Sequence, residues 1–211
     1  MDMPTLYHSP NSRSSRVIAQ LMLIGKLDAV DVVIVDVARG DGTGRHDPRN
    51  AHPEGKVPYL ITDDGQEVRE SAAIMMYLDE LFGQPLSPKI GTPMRGSFLS
   101  WMSYYGGVME PVIVSAFSGI DHPAITGNFR GMAEVCTALE AGLKDRPFLL
   151  GEDISIADIL LASPFQWAPH LMPDSPAIKA WVKRVGDALD GSALATFEDK
   201  AVAELGALQS A

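Results

Sequence analysis

The hydrophobic pattern changes near residue 83, and this change constrains the fold more than any other feature of the sequence. Before it, strand-like and helix-like segments alternate in the order β-α-β-loop-β-β-α, which predicts an α/β domain with a mixed sheet. From Met94 onward long helical windows follow one another, without a convincing strand pattern. We therefore expect an α/β domain over residues 1–83, a proline-rich linker over 84–93 and an all-α domain over 94–211.

Residues with clear structural preferences bound the elements of the first part. Apolar residues at helical spacing indicate a helix from Arg13 to Ile24, which Gly25 then ends. The Asp-Gly pair in "DDGQ" predicts a hairpin between "YLIT" and "EVR". The other expected elements are strands Thr5–His8 and Val30–Val37, an exposed mobile loop over Ala38–Asn50 and a helix from Ser71 to about Phe82.

Two local signals stand out in the helical part. Pro111 should kink or end the first helical window, because proline lacks the N–H that a helix interior requires. In "GEDISIADI", Ser155 and Asp158 have the spacing of a capping box, which predicts the start of a helix.

Composition excludes several function classes. A formal net charge of −10 argues against a nucleic acid partner, because that binding depends on clustered Lys and Arg. No apolar run approaches the ~18 residues of a membrane span, and the N-terminus lacks the pattern of a signal peptide. The one cysteine, Cys136, excludes a disulfide within the chain and fits a reducing compartment. We expect a cytoplasmic protein that binds neither nucleic acid nor membranes and holds no metal.

The stretch "HSPNSRSSRV" places four serines and one asparagine between the first strand and the first helix. Such residues commonly cap helices without any ligand. Hydroxyl groups at the positive end of a helix also stabilise an anion, so a functional site is the alternative.

Two further segments have both a structural and a functional interpretation. In "HPEGKVPYL", Pro58 precedes a strand and is most simply trans, but a cis bond would turn the backbone of Val57 outward to pair with an extended peptide. In "VRESAAIMMYL", Ser71 is a plausible helix N-cap. Together with Glu70 it also offers adjacent sites for the carboxylate and the ammonium group of an α-amino acid.

"SPNSRSSRV", "HPEGKVPYL" and "ESAAIMMYLDELFG", in this order and spacing, resemble the glutathione-binding half of the cytosolic glutathione transferase family. "GEDISIADI" is similar to the capping motif of the family's helical domain, so the resemblance spans nearly the whole chain. It implies a thioredoxin-like domain, then an all-α domain, glutathione as co-substrate and usually a homodimer.

The resemblance also implies roles for single residues. Val57 would pair through its backbone with the cysteinyl part of glutathione, ahead of a cis Pro58. Glu70 and Ser71 would hold the γ-glutamyl ammonium and carboxylate groups. Lys56 would reach the glycyl carboxylate or the peptide backbone, or else remain solvated.

The family lowers the pKa of the glutathione thiol with a tyrosine, serine or cysteine near the first helix. Arg13 falls where cysteine-type relatives carry their cysteine, so the chain departs from that branch. The candidates for contact with the thiolate are, in order, Ser12, Asn11 and Ser9. Ser14 and Ser15 are expected only to start the helix.

The second substrate of such transferases lies against the first helix of the α-domain. Here "WMSYYGGVMEP" offers an apolar, partly aromatic wall, and Tyr105 is the candidate contact for a small hydrophobic electrophile. The identity of that electrophile stays open.

Three function classes follow from these observations. The first is a transferase that conjugates glutathione to an electrophile. The second is a peroxidase or disulfide reductase that uses two glutathiones without a protein cysteine, which the "SPN" tripeptide favours. The third is a non-enzymatic ligand-binding or regulatory protein with the same fold.

Overall fold

The computed structural model describes residues 3–209, which form two compact units. One unit joins residues 3–82 with 189–209, and the other contains residues 83–188. None of the helices between residues 3 and 209 combines the length and the apolar content that crossing a membrane requires.

A four-stranded mixed sheet organises the first unit, with strands β1 (Thr5–His8), β2 (Asp31–Ile34), β3 (Tyr59–Ile61) and β4 (Glu67–Val68). Their order is β2-β1-β3-β4. β1 and β2 are parallel, and β3 is antiparallel to both β1 and β4. The sheet confirms the predicted α/β domain and its hairpin. β2 is shorter than the predicted strand, because it lies at the sheet edge and its partner β1 has four residues.

Helices α1 (Ser15–Leu23) and α2 (Ser71–Leu81) pack against each other in this unit. The buried Gln20 amide donates to the Met75 carbonyl at 2.9 Å and ties the two helices together. Gly25 follows α1 with φ +62°, a conformation that favours glycine and confirms it as the helix stop.

The last helix, α9 (Gly191–Gln209), also belongs to this unit and packs against α1. Phe197 on α9 meets the His8 ring in an edge arrangement, with the two ring centroids 5.6 Å apart. In the structure the helical unit therefore ends at residue 188 instead of 211. A helical pattern specifies which face is apolar but not which neighbour covers it, and this explains the difference.

The second unit is helical. Its helices are α3 (Arg95–Tyr104), α4 (Glu110–Ser118), α5 (Pro123–Thr126), α6 (Met132–Gly142), α7 (Ile156–Trp167) and α8 (Pro176–Ala188). Residues 83–188 are all described, and strand pairing among them is limited to one isolated bridge between Phe148 and Gly151. This confirms the all-α prediction for the second domain.

A π-helical turn, Tyr105–Met109, separates α3 from α4. Pro111 follows at the start of α4, where its missing N–H breaks the regular helical hydrogen bonding. The predicted interruption of this helical window is therefore confirmed.

The capping box at the start of α7 is also confirmed, and Asp158 extends it into a buried network. Asp158 Oδ2 accepts the Ser155 N–H at 2.9 Å and the Ser155 hydroxyl at 2.6 Å. Asp158 Oδ1 accepts the Leu149 N–H at 2.9 Å and the Trp181 indole N–H at 2.8 Å. One carboxylate thus joins α7, α8 and the chain before α7.

We expect Asp158→Ala to lower the free energy of unfolding by roughly 3 kcal/mol or more, because it leaves several buried donors without an acceptor. Urea unfolding followed by tryptophan fluorescence measures this, since Trp181 reports on the same unit. The matched control is Asp153→Ala, which removes an exposed carboxylate from the same segment. Equal stability of the two variants would contradict the assignment.

Candidate functional site

Three sequence motifs meet at one end of the sheet, which we call the motif end. β1 and β3 pair antiparallel with Tyr7 opposite Tyr59, so the chain leaves β1 at His8 beside the point where Pro58 leads into β3. β4 runs antiparallel to β3, which brings Glu70 to that same end. The serine-rich stretch, the proline loop and the start of α2 are therefore neighbours.

The peptide bond between Val57 and Pro58 is cis, as the family resemblance implied. The preceding turn is fixed by side chains. The Asn50 amide donates to the Lys56 carbonyl at 3.2 Å, and Asn50 Oδ1 accepts the His52 N–H at 3.0 Å. The backbone at Val57 is thus held in one conformation at the motif end.

Glu70 has φ +70° and ψ 128°, a conformation that few residues other than glycine adopt. Such backbone strain is concentrated at functional sites. Glu70 occupies the N-cap position of α2, so the prediction that Ser71 is the N-cap is wrong by one residue. The reason is that the Glu70 carbonyl already accepts the first helical bond, from the Ile74 N–H at 3.0 Å. Glu70 is exposed, and Ser71 is buried beside it.

The Lys56 ammonium is exposed and pairs with the exposed Glu54 carboxylate at 2.5 Å. A hydrogen bond to Glu54 raises the pKa of Lys56, and the same bond lowers the pKa of Glu54. Lys56 is thus a surface cation beside the proline loop.

The serine-rich loop contains a network of short contacts between hydroxyl groups. Ser12 is half-buried, and its Oγ lies 2.7 Å from the Ser14 Oγ. The Ser14 N–H donates to the Ser12 Oγ at 3.2 Å, and the Ser12 N–H donates to the Ser15 Oγ at 3.2 Å. Ser14, not Ser12, holds the N-cap position of α1, and its side chain makes no cap bond.

Ser14 therefore does more than start a helix, contrary to the sequence-based expectation. It is fully buried, and its Oγ lies 2.7 Å from the His8 Nδ1. The Ser9 N–H donates to the same Oγ at 3.3 Å, and that hydroxyl in turn lies 3.3 Å from the Ser9 carbonyl. No sequence pattern indicated this role, because the contacts depend on how the loop turns back on β1.

The other two thiolate candidates differ in exposure. Asn11 is exposed and has φ +53°, in the left-handed region that asparagine tolerates better than most residues. Ser9 is fully buried, and its hydroxyl accepts a hydrogen bond from the Arg39 guanidinium at 3.4 Å. Arg39 also lies 3.7 Å from the Asp36 carboxylate.

Glu198 on α9 holds this loop, although no sequence pattern indicated it. Its Oε2 accepts the Asn11 N–H at 2.7 Å and lies 3.4 Å from the His8 Nε2. Burial by itself raises the pKa of Glu198, but hydrogen bonds from His8, Ser15 and the Asn11 N–H outweigh it and lower the pKa below the ordinary 4.5. Glu198 is therefore a buried carboxylate at neutral pH.

Tyr105 lies in the helical unit at the start of the π-helical turn, and its side chain is 4% exposed. The ring of Tyr104 packs edge-on against Trp101, with the two centroids 5.5 Å apart. Between residues 3 and 209, no three His, Cys, Asp or Glu side chains converge as metal ligands.

We expect Glu198→Ala to lower the free energy of unfolding by about 2–3 kcal/mol at pH 7, because buried donors lose a charged acceptor. The pKa of Glu198 is lowered by folding, so this stabilisation is complete above pH 4.5 and is lost as the pH falls through the lowered value. Urea unfolding at several pH values, followed by circular dichroism, measures the difference. The control is Asp199→Ala, which removes the exposed neighbouring carboxylate. A difference that is independent of pH would contradict the role of the charge.

Two family models match the chain, one for each part. Residues 6–86 match the N-terminal domain of glutathione S-transferase, and residues 105–186 match its C-terminal domain.

Curated relatives and solved structures agree with these matches. Elongation factor 1-gamma of Trypanosoma cruzi is 32% identical over 162 residues, which cover 74% of this chain and 38% of that protein. Glutathione S-transferase mdpJ of Emericella nidulans is 28% identical over 170 residues, which cover 77% of this chain and 74% of that protein. A sphingomonad glutathione S-transferase, solved in complex with glutathione, is 25% identical with a TM-score of 0.71, covering 92% of this chain and 98% of that one. The chain belongs to the glutathione S-transferase family, with a thioredoxin-like N-terminal domain and a helical C-terminal domain.

Proposed function

We propose that this protein is a transferase that binds glutathione at the motif end of its sheet, stabilises the thiolate and conjugates it to a small hydrophobic electrophile. The observation that carries this proposal is the meeting, at one end of one sheet, of the Val57 backbone, the strained Glu70 and the Ser12 hydroxyl. A family relative solved in complex with glutathione supports the same ligand class.

Glutathione is an extended tripeptide with charged ends, and the motif end offers a complementary group for each part. The backbone N–H and C=O of Val57 would pair with the cysteinyl residue as an added strand does. The Glu70 carboxylate would hold the γ-glutamyl ammonium group. Ser71, at the positive end of α2, would hold the γ-glutamyl carboxylate, and Lys56 would reach the glycyl carboxylate.

The thiol of glutathione must ionise near neutral pH, because the thiolate is the nucleophile. A hydrogen bond from the Ser12 hydroxyl, together with the positive end of α1, favours the charged form. A shift of two pKa units needs only about 2.7 kcal/mol, which one charge-assisted hydrogen bond and the helix dipole supply. The thiolate then attacks the electrophilic carbon, and either a leaving group departs or a proton completes the addition.

The exposure of the three candidates supports the order Ser12, Asn11, Ser9. Ser12 is half-buried, as suits a group that meets a ligand at a partly dry site. Asn11 presents its amide to solvent, which leaves it available as a second donor. Ser9 is fully buried and engaged with Arg39, so it is the weakest candidate.

For the electrophile we keep Tyr105 as the proposed contact on the helical domain. Its place at a π-helical turn supports this, since such turns are frequent at functional sites. A homodimer and a cytoplasmic location also remain proposals, based on what is usual for the family.

The first test is the pKa of the bound glutathione thiol, followed by the ultraviolet absorbance of the thiolate and referenced to the complex with S-methylglutathione. We expect the protein to lower that pKa by about two units. Ser12→Ala should lose most of the shift and Ser12→Thr should keep it. Asn11→Gly, which preserves the positive φ, should have a smaller effect. Burial raises the pKa of Cys136, so this thiol ionises at a higher pH than an ordinary cysteine, and the reference complex corrects for its absorbance.

The second test concerns glutathione binding. We expect Glu70→Gln to weaken binding about tenfold or more, because the γ-glutamyl ammonium group loses its counter-charge. Isothermal titration calorimetry measures the dissociation constant. Asp63→Asn is the control, since it removes an exposed carboxylate from the turn at the opposite end of β3 and β4. Equal affinities for the two variants would refute the assignment of Glu70.

A non-enzymatic role is the second candidate, because a relative at 32% identity is named elongation factor 1-gamma and not a transferase. It predicts that the protein either fails to bind glutathione or binds it without lowering the thiol pKa. Turnover of hydroperoxides or small glutathione disulfides, with little conjugation, would instead favour the peroxidase or reductase alternative.

A further inference from the structure

A chain of contacts leads from the half-buried Ser12 into the interior of the first unit. Ser12 Oγ lies 2.7 Å from Ser14 Oγ, and Ser14 Oγ lies 2.7 Å from His8 Nδ1. On the other side of the ring, His8 Nε2 lies 3.4 Å from Glu198 Oε2. His8 and Ser14 are fully buried, and Glu198 is 6% exposed. Two hydroxyls and an imidazole are therefore linked by short contacts, and a carboxylate lies within ion-pair distance of the far side of the ring.

Each contact at 2.7 Å requires a proton between its two atoms, and each hydroxyl has only one proton to give. The hydrogen bonds that link Ser12, Ser14 and His8 therefore all point in the same direction. If Ser14 donates to His8, Ser12 must donate to Ser14. If His8 donates to Ser14, the His8 N–H and the Ser9 N–H together fill both lone pairs of the Ser14 Oγ. Ser14 then donates to Ser12, and the Ser12 proton is free to point outward.

The Glu198 carboxylate fixes the proton on the far side of the imidazole. A carboxylate oxygen at 3.4 Å favours the tautomer with its proton on Nε2, since an unprotonated Nε2 would set a lone pair against that oxygen. Glu198 also accepts the Asn11 N–H at 2.7 Å, which holds the carboxylate in place. His8 is thus limited to two states, the neutral ring with its proton on Nε2 and the imidazolium.

The two states of His8 differ by one proton. Each state matches one of the two directions of hydrogen-bond donation between Ser12, Ser14 and His8. With neutral His8 the Ser12 Oγ accepts a proton from outside, since its own proton points to Ser14. With the imidazolium, the Ser12 hydroxyl donates outward. Reversing the direction of these hydrogen bonds is therefore equivalent to moving one proton from a group bound at Ser12 to the His8 Nδ1.

We propose that His8 receives the thiol proton of bound glutathione through Ser12 and Ser14, and that Glu198 stabilises the resulting imidazolium. The S–H bond breaks as the Ser12 Oγ takes that proton. The Ser12 proton passes to Ser14, and the Ser14 proton passes to His8 Nδ1. The product is a thiolate that accepts a hydrogen bond from Ser12. His8 and Glu198 act through Ser12 and are positioning residues.

The surroundings of His8 fit the stabilisation of a positive charge. α9 contributes the Glu198 carboxylate and the edge of the Phe197 ring. Tyr59 pairs with Tyr7 and packs against its ring, so it lies on the opposite face of the sheet from His8. The Arg39 guanidinium reaches the hydroxyl of Ser9, and it lies 3.7 Å from the Asp36 carboxylate.

This inference rests on the proposed function, since it needs glutathione at Ser12. The test compares Glu198→Gln, which keeps an acceptor for the Asn11 N–H, and Ser14→Ala, which interrupts the chain, with Ser12→Ala. We expect each of the first two to raise the pKa of the bound thiol by about one to two units. The value of kcat/KM at pH 7 should fall roughly 10- to 100-fold and recover at high pH, where the thiol ionises unaided.

Two controls separate a relay from a structural effect. S-methylglutathione has no ionisable thiol, so its dissociation constant should stay the same in both variants. Asp199→Asn, at an exposed position on the same helix, should leave the thiol pKa unchanged. The double variant Ser14→Ala/Glu198→Gln should be no worse than the more severe single variant, because both interrupt the same chain.

The outcomes distinguish the two proposals. If Ser12→Ala loses the shift of the thiol pKa while Glu198→Gln and Ser14→Ala keep it, the relay is refuted and the proposed function stands. If S-methylglutathione affinity falls together with the pKa shift, the effect is structural and the relay is also refuted. If the unmodified protein does not lower the thiol pKa at all, both proposals fail.

Discussion

The contact between the Glu198 carboxylate and the loop after β1 determines the geometry of the candidate site. Asn11 turns the chain there with φ +53°, a conformation that is sparsely populated without support. Its N–H is held by Glu198 at 2.7 Å, in a site where little water competes. Together with the contacts of Ser12 to Ser14 and Ser15, this interaction holds Ser12, the proposed thiolate contact, in place. It also gives a physical reason why α9 belongs to the α/β unit.

Burial of a polar group costs folding free energy unless the group is hydrogen-bonded. In each unit of this protein, one buried carboxylate accepts hydrogen bonds from several donors. In the helical unit Asp158 accepts four hydrogen bonds and fixes the start of α7. In the α/β unit Glu198 takes the Asn11 N–H and lies against His8. The first network stabilises a fold common to the family. The Glu198 network lies beside the candidate site, where its side chains are close enough to act in the chemistry that we propose.

The fold by itself does not decide what such a protein does, because functions differ among proteins of one architecture. The names of the relatives differ accordingly, since one is a glutathione S-transferase and another is elongation factor 1-gamma. Ionisation of the bound glutathione thiol distinguishes a transferase from a non-enzymatic protein more sharply than glutathione binding does. In the proposed site, Val57, Glu70 and Ser71 would serve to bind glutathione, whereas a transferase also needs a group that favours the thiolate.

The sequence by itself determined the fold class, the hairpin, the capping box at Ser155 and Asp158, and the interruption at Pro111, since each depends on residues close together in the chain. It also indicated the motifs at Ser12, Pro58 and Glu70, and the register of the sheet then brought them to one end. Only the tertiary structure decided that Ser14 is buried against His8 and that Glu198, 187 residues beyond Asn11, reaches this loop. Local patterns record which face of a helix is apolar, but its partner depends on packing across the whole chain.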